Sequence, residues 1–143
     1  MTPWHPMIVH FPLALALTAA LALYAARILP DAQLAARLAS VGTWNLCAAA
    51  VAALAALGSG LAAALGQELS VAARQAVSLH LKWAVCAAFG LLLLAVWRGA
   101  GNDQDARPSA PFLVILGLSV AALIETGYRG GLNVSLSGIG VAR

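Results

Sequence analysis

Charged residues are scarce in this sequence of 143 residues. Only 9% of the residues are Asp, Glu, Lys or Arg, whereas 62% are hydrophobic, and the mean hydropathy is +0.90. A soluble domain usually carries about 25% charged residues, because its surface must be solvated by water. The composition therefore excludes an ordinary soluble fold, and we expect lipid to surround much of a single domain.

Four other features are also missing, and each argues against a class of protein or segment. The formal net charge of +3 is spread along the chain without a basic patch that contains interleaved aromatic residues, which excludes a nucleic-acid-binding surface. Cys47 and Cys86 lie inside apolar runs, so they are interpreted as small buried side chains and not as a disulfide framework. The opening residues MTPWHP lack the basic leader of a signal peptide, so we expect the first apolar segment to remain as an anchor. No serine or cysteine nucleophile stands beside a base, so no hydrolase or transferase is indicated.

Four apolar segments are long enough to cross a membrane, since about 20 apolar residues span a hydrocarbon core of about 30 Å. They cover residues 8–29, 38–65, 77–97 and 111–128 approximately. The sequence therefore predicts an all-α integral membrane protein: one four-helix transmembrane bundle over residues 1–143, with a short glycine-rich C-terminal tail. The tail contains LNVSLSGIGV, in which apolar and polar residues alternate, and this alternation predicts an extended segment.

Four crossings place both termini on the same side of the membrane, and the basic residues favour one orientation. Under the positive-inside rule, the loop-side arginines favour cytoplasmic loops and outward, periplasmic termini. The loop-side residues are Arg27, Arg37, Arg98 and Arg107, against Arg74, Arg129 and Arg143 on the other side.

The predicted topology brings the polar residues of the spans into one leaflet. These residues are His5, His10, His80, Lys82 and Glu125. Ionisable groups inside a membrane are costly and are functional candidates for that reason. The alternative is that the histidines bond to neighbouring carbonyl groups and that Glu125 pairs with Arg129 or Lys82.

Histidines from different helices at similar depth are typical of cofactor ligands in four-helix bundles. His10 and His80 are the candidate axial ligands of a haem iron, with His5 next. Arg74, Lys82 and Arg129 are candidate partners of the haem propionates.

Two other arrangements stay open at this point. Glu125 is a candidate proton carrier, but with His5, His10 and His80 it would instead suit a zinc, copper or iron site. Small residues repeat along the second segment, which predicts close helix contact or room for a flat cofactor. They are Ala52, Ala56, Gly60 and Ala64.

The opening HPMIVHFP resembles the start of the bacterial membrane family known as domain of unknown function 2231. The resemblance covers the whole chain. It is carried by His5, Pro6, Val9, His10, Phe11 and Pro12, by His80, by Thr126, Gly127, Gly130 and Gly131 of TGYRGG, and by GIGV at Gly138 to Val141. The family usually has a tyrosine and a histidine where this chain has Ser135 and Ser137. With fewer imidazoles, a haem with two protein ligands is favoured over a metal cluster with many.

Some relatives in that family are joined to cytochrome c or Rieske-type modules, which implies electron transfer in the bacterial inner membrane. The leading hypothesis is therefore a haem b protein that passes electrons between a membrane donor or quinone and a partner redox protein. We expect an electron carrier more than a stand-alone enzyme. A homodimer is also expected, because four short helices alone would enclose so large a cofactor only thinly. The alternatives are a cofactor-free subunit that assembles a respiratory complex, and a protein that binds or transports metal ions.

Overall fold

The computed structural model describes residues 4–65, 68–101 and 107–137, which form helices joined by short connections. The helices are α1 (Trp4–Ile8), α2 (His10–Ile28), α3 (Ala32–Leu65), α4 (Val71–Ala100) and α5 (Ala110–Ser137). No strand occurs in these described ranges. Four helical segments are long and apolar enough to cross a membrane, with α1 and α2 together making the first. The predicted all-α membrane fold is confirmed.

A single residue, Val9, separates α1 from α2. The cause is Pro12, which has no backbone N–H to donate to the carbonyl of Ile8 and whose ring crowds that carbonyl. The chain still continues in nearly the same direction, because the N–H of Val9 donates to the carbonyl of His5 over 3.2 Å. The break therefore sets α1 slightly apart, so that α1 packs mainly against α3.

The first loop is short, and two residues tie it to its surroundings. Asp31 caps the start of α3, where its Oδ1 accepts a hydrogen bond from the N–H of Leu34 over 2.8 Å. The Arg107 guanidinium donates to the carbonyls of Leu29 (2.8 Å) and Pro30 (3.3 Å), so the two loops on this side of the bundle are joined.

The helices extend beyond most of the predicted span ends, and α5 changes the interpretation of the C-terminal tail. The extended segment predicted from LNVSLSGIGV is wrong for residues 132–137, which continue α5. A helix satisfies its own backbone hydrogen bonds, whereas an isolated strand near lipid cannot. The need to satisfy backbone hydrogen bonds near lipid therefore outweighs the preference for an extended chain that the alternating pattern and the preceding glycines indicate. The rest of the predicted tail, residues 138–143, lies outside the described residues.

The spans form a ring in which α2 packs on α3, α3 on α4, α4 on α5 and α5 on α2. The α2–α3 and α4–α5 hairpins have the most extensive contacts, so α2 and α4 stand diagonally across the bundle. Small residues allow this close approach. The core is formed by Ala16, Ala19, Leu23, Leu46, Ala49, Ala87, Leu91, Leu94, Phe112 and Leu116, among others.

Burial divides the bundle into two halves. We call residues 12–26, 35–56, 87–98 and 112–123 the packed half, since it contains the buried core of the spans. We call residues 4–11, 57–65, 71–86 and 124–135 the open half, because none of these described residues is fully buried. The open half lies on the side of the two described chain ends. It contains the three histidines, Lys82 and Glu125.

Gly90 is a sensitive position of the packed half. A Cβ added there would collide with the hydroxyl of Ser119 on α5, whereas one at Gly99 on the same helix would meet nothing. We expect Gly90→Ala to lower the free energy of unfolding by about 1–3 kcal/mol through overpacking, and Gly99→Ala to leave it unchanged or raise it. Denaturation in mixed micelles measures both. Adding Ser119→Ala to Gly90→Ala should restore most of the loss, and an unrestored loss would contradict the assigned clash.

Tyr24 joins α2 to α5 through one hydrogen bond. Its hydroxyl donates to the carbonyl of Leu113 over 2.8 Å, in the space left by Gly117. Hydrogen bonds between membrane helices contribute about 0.6 kcal/mol on average and up to about 1.7 kcal/mol. We therefore expect Tyr24→Phe to lower the free energy of unfolding within that range in the same micelle experiment. Equal stability of the variant and the parent would show that the bond contributes nothing.

Candidate functional site

His80 is half-buried on α4 and is fixed by the backbone of α5. Its Nδ1 lies 3.0 Å from the carbonyl oxygen of Thr126. A carbonyl oxygen can only accept a hydrogen bond, so Nδ1 carries the proton and Nε2 keeps its lone pair. Gly130, one turn further along α5, makes room for the ring, since a Cβ there would lie 3.2 Å from Cε1 of His80. The side chain is therefore held in one tautomer with Nε2 available to a ligand.

His5 is fixed in the same way by α3. Its Nδ1 lies 2.9 Å from Oγ of Ser59, and that hydroxyl donates its own proton to the carbonyl of Ala56 over 2.9 Å. Because the hydroxyl proton is already used, Ser59 accepts the proton of Nδ1. Gly60 makes room for the ring, since a Cβ there would lie 2.8 Å from Cε1 of His5. His5 therefore also keeps the lone pair of Nε2.

The two histidines share an arrangement that we call the paired cradle. It consists of His5 with Ser59 and Gly60, and His80 with Thr126 and Gly130. Each imidazole crosses from one helix to the next, lies over a glycine and donates from Nδ1. Histidines that bind metals almost always donate their other ring N–H in this manner. The two rings both lie in the open half, toward the same end of the bundle.

His10 does not join this arrangement. It is exposed on the outer surface of the first turn of α2. Five residues of helix correspond to a rotation of about 500°, so His10 and His5 point about 140° apart even without the break at Val9. The structure therefore revises the predicted pair. His5, and not His10, accompanies His80.

An ion pair lies beside the cradle of His80. Arg129 Nη2 is 2.5 Å from Glu125 Oε1, one turn apart on α5, and both side chains are about one-third exposed. Glu125 precedes Thr126, and Arg129 precedes Gly130. The Nε of Arg129 is buried and has no hydrogen-bond partner among the described residues. Arg129 can therefore still donate to an anionic group, while Glu125 already has a partner.

Arg74 and Lys82 lie on another face of α4. At about 100° per residue, Lys82 is about 160° from His80 around the helix, and Arg74 is about 120° from it. Both are exposed and line a groove on the outer surface. Both therefore leave α4 from a different face than His80 does, and their contact with propionates stays a prediction.

The donor set limits the kind of cofactor that the paired cradle fits. No group of three or more His, Cys, Asp or Glu side chains that could hold a metal ion occurs among the described residues. A zinc site needs three or four protein ligands, whereas a haem iron needs only the axial ligands from the protein. Two imidazoles therefore fit a cofactor that brings its own equatorial ligands.

Four residues of the paired cradle are absent from the set of site residues predicted from sequence. Gly60 falls in the small-residue repeat of the second segment, where helix packing explains it equally well, and Gly130 falls in the TGYRGG motif. Ser59 has no distinctive spacing. Thr126 acts through its backbone carbonyl, which no side-chain pattern reveals. The positions of two glycines near two histidines become informative only after the helices are paired.

The fold and the site together define a class: a bundle of four candidate membrane spans with two oriented histidines toward one end. The family described as "Predicted membrane protein (DUF2231)" matches residues 1–143, so the chain belongs to this family. Neither a curated protein nor a solved structure matches the chain. The family description states membrane location and leaves the activity open.

Proposed function

We propose that the protein binds haem b through the imidazoles of His5 and His80 and carries electrons within the membrane. The observation that supports this proposal is the pair of Nε2 lone pairs at one end of the bundle, each fixed by a hydrogen bond from Nδ1. An Nδ1–H donor of this kind also raises the basicity of the ligand nitrogen. When bound, haem supplies one-electron oxidation and reduction at its iron.

The residues around the pair fit this cofactor in three respects. Two imidazoles would suit a haem iron that is held by two histidines, as in an electron carrier. Gly60 and Gly130 leave the space that the two rings occupy. Arg129 has a buried Nε without a partner among the described residues, which suits a propionate carboxylate.

The residues would then divide the tasks. His5 and His80 would hold the iron, while Ser59 and the Thr126 carbonyl fix the orientation of the imidazoles. Arg129 would balance the negative charge of a propionate, and Glu125 would balance Arg129 and exchange a proton near the membrane surface. The apolar side chains of the packed half prevent water from reaching the histidines from the opposite end of the bundle.

The proposed setting follows from the family resemblance and the distribution of basic residues. We place the chain in the bacterial inner membrane with periplasmic termini, which puts the paired cradle near the periplasmic face. A quinone or another membrane donor would deliver electrons there, and a cytochrome c or Rieske-type protein would receive them. A homodimer would cover the open half.

A visible spectrum of the purified, detergent-solubilised protein, expressed with ample haem supply, tests the proposal. We expect a Soret band, sharp α and β bands after reduction, and about one haem per chain by the pyridine haemochrome assay. A colourless protein with stoichiometric zinc or copper would overturn the proposal in favour of a metal-ion site. A colourless protein without metal would overturn it in favour of a cofactor-free assembly subunit.

A further inference from the structure

A groove lies on the outer face of α4, separate from the histidines. It has a volume of about 660 Å³ and mostly apolar walls, with two cationic side chains among them. The lining residues are Leu69, Ser70, Val71, Arg74, Gln75, Ser78, Leu79 and Lys82. Because these residues follow the first three turns of α4, the groove runs along the helix from its N-terminal end.

The position of the groove matches the headgroup region of a bilayer. The 30 residues of α4 extend about 45 Å, which exceeds a hydrocarbon core of about 30 Å. The first turns, with Arg74, therefore reach the polar interface. Lys82 lies about 12 Å further along the helix, and its long stem can bring the ammonium group back toward the interface.

Among the residues that the structure describes, no acidic side chain pairs with the two cations of the groove. Arg74 donates from Nε to the carbonyl of Leu69 over 3.0 Å, which holds its guanidinium at the groove and leaves the terminal nitrogens for another acceptor. Neither Arg74 nor Lys82 forms an ion pair within the described part of the chain. Glu68 is nearby in sequence, but it is exposed and does not line the groove.

We propose that this groove binds the headgroup of an anionic phospholipid. Arg74 and Lys82 supply charge for the phosphate, Gln75 and Ser78 supply hydrogen bonds for the glycerol, and Leu69, Val71 and Leu79 contact the acyl chain. The apolar walls favour a lipid over free phosphate, because inorganic phosphate would leave them exposed. This site is independent of haem binding, since it lies on a different face of α4.

Native mass spectrometry of the protein in detergent tests this proposal, with phosphatidylglycerol and phosphatidylcholine as probes. We expect phosphatidylglycerol to bind more tightly. Each basic residue near a membrane surface contributes about fivefold to anionic lipid affinity, so Arg74→Gln with Lys82→Gln should weaken the binding by about 25-fold. The matched control is Arg27→Gln with Arg37→Gln, which removes the same charge from exposed positions on the other side of the membrane and should have no such effect.

Three results would overturn the proposal. They are equal affinity for the two lipids, equal weakening in the control variant, and displacement of phosphatidylglycerol by millimolar inorganic phosphate. The single variant Lys82→Gln, expected to weaken binding about fivefold, provides a second measurement if the double variant does not fold. Circular dichroism verifies the helical content of each variant.

Discussion

Replacing His80 by alanine is expected to abolish haem binding, whereas replacing His10 by alanine is expected to leave it intact. His80→Ala removes the nitrogen that would bind the iron. The expected loss of haem affinity therefore exceeds the loss of about 10–100-fold that follows removal of a residue that only supports a ligand. His10 is exposed on the outer surface of α2 and contributes nothing to the paired cradle. Haem content per chain, measured by the pyridine haemochrome assay after identical purification, separates the two variants.

The variant His5→Ala completes this comparison. It should behave like His80→Ala, since each imidazole donates from Nδ1 and keeps the lone pair of Nε2 for a ligand. Ser59→Ala, which removes only the acceptor of the His5 Nδ1 proton, should weaken haem binding by about 10–100-fold. Full haem content in His5→Ala together with loss in His10→Ala would restore the pair predicted from sequence and refute the pair assigned from the structure.

The second large effect is expected at the glycines under the imidazoles. Gly60→Ala places a methyl group 2.8 Å from Cε1 of His5, a contact that forces the ring to move. Gly58→Ala, two residues away on α3, meets nothing within 4 Å. Both substitutions favour the helix by a similar amount, about 1 kcal/mol. Their difference in haem affinity therefore isolates the displacement of the ring, and we expect a loss of about 10–100-fold for Gly60→Ala alone.

The glycines of α5 provide a graded version of the same experiment. Gly130→Ala brings its methyl group 3.2 Å from Cε1 of His80, which is tight but can be relieved by a small shift, and Gly131→Ala meets nothing within 4 Å. We expect the parent, Gly58→Ala and Gly131→Ala to bind haem equally tightly. Gly130→Ala should bind it more weakly, and Gly60→Ala should bind it most weakly. Equal affinities of Gly60→Ala and Gly58→Ala would mean that the space above Gly60 has no role.

Composition and segment length were sufficient to predict the membrane bundle, because apolar runs of this length have few soluble alternatives. They also predict that the three histidines lie toward one end of the bundle, where the structure has them, since topology alone decides which helix ends lie together. The sequence does not determine how each helix is rotated about its own axis. Every span is apolar on all sides, so the sequence does not show which face of α2 points inward, and His10 was assigned to the interior although it is exposed.

The C-terminal part of α5 illustrates a different limit. Glycines and alternating polarity favour an extended chain in water, yet residues 127–137 are helical. Near lipid, the cost of unsatisfied backbone groups exceeds the cost of placing glycine in a helix, which is about 1 kcal/mol per residue. The same glycines then serve another purpose, since Gly130 lies under His80. The alternating pattern therefore predicts the wrong structure for residues 132–137.

The most direct test of the paired cradle is the near-infrared magnetic circular dichroism spectrum of the oxidised protein, which identifies both axial ligands of a low-spin ferric haem. The account predicts two imidazole ligands in the parent protein and in His10→Ala, and the loss of that signal in both His5→Ala and His80→Ala. A protein supplied with haem that binds none, or one whose two-imidazole signal survives either His5→Ala or His80→Ala, would contradict it.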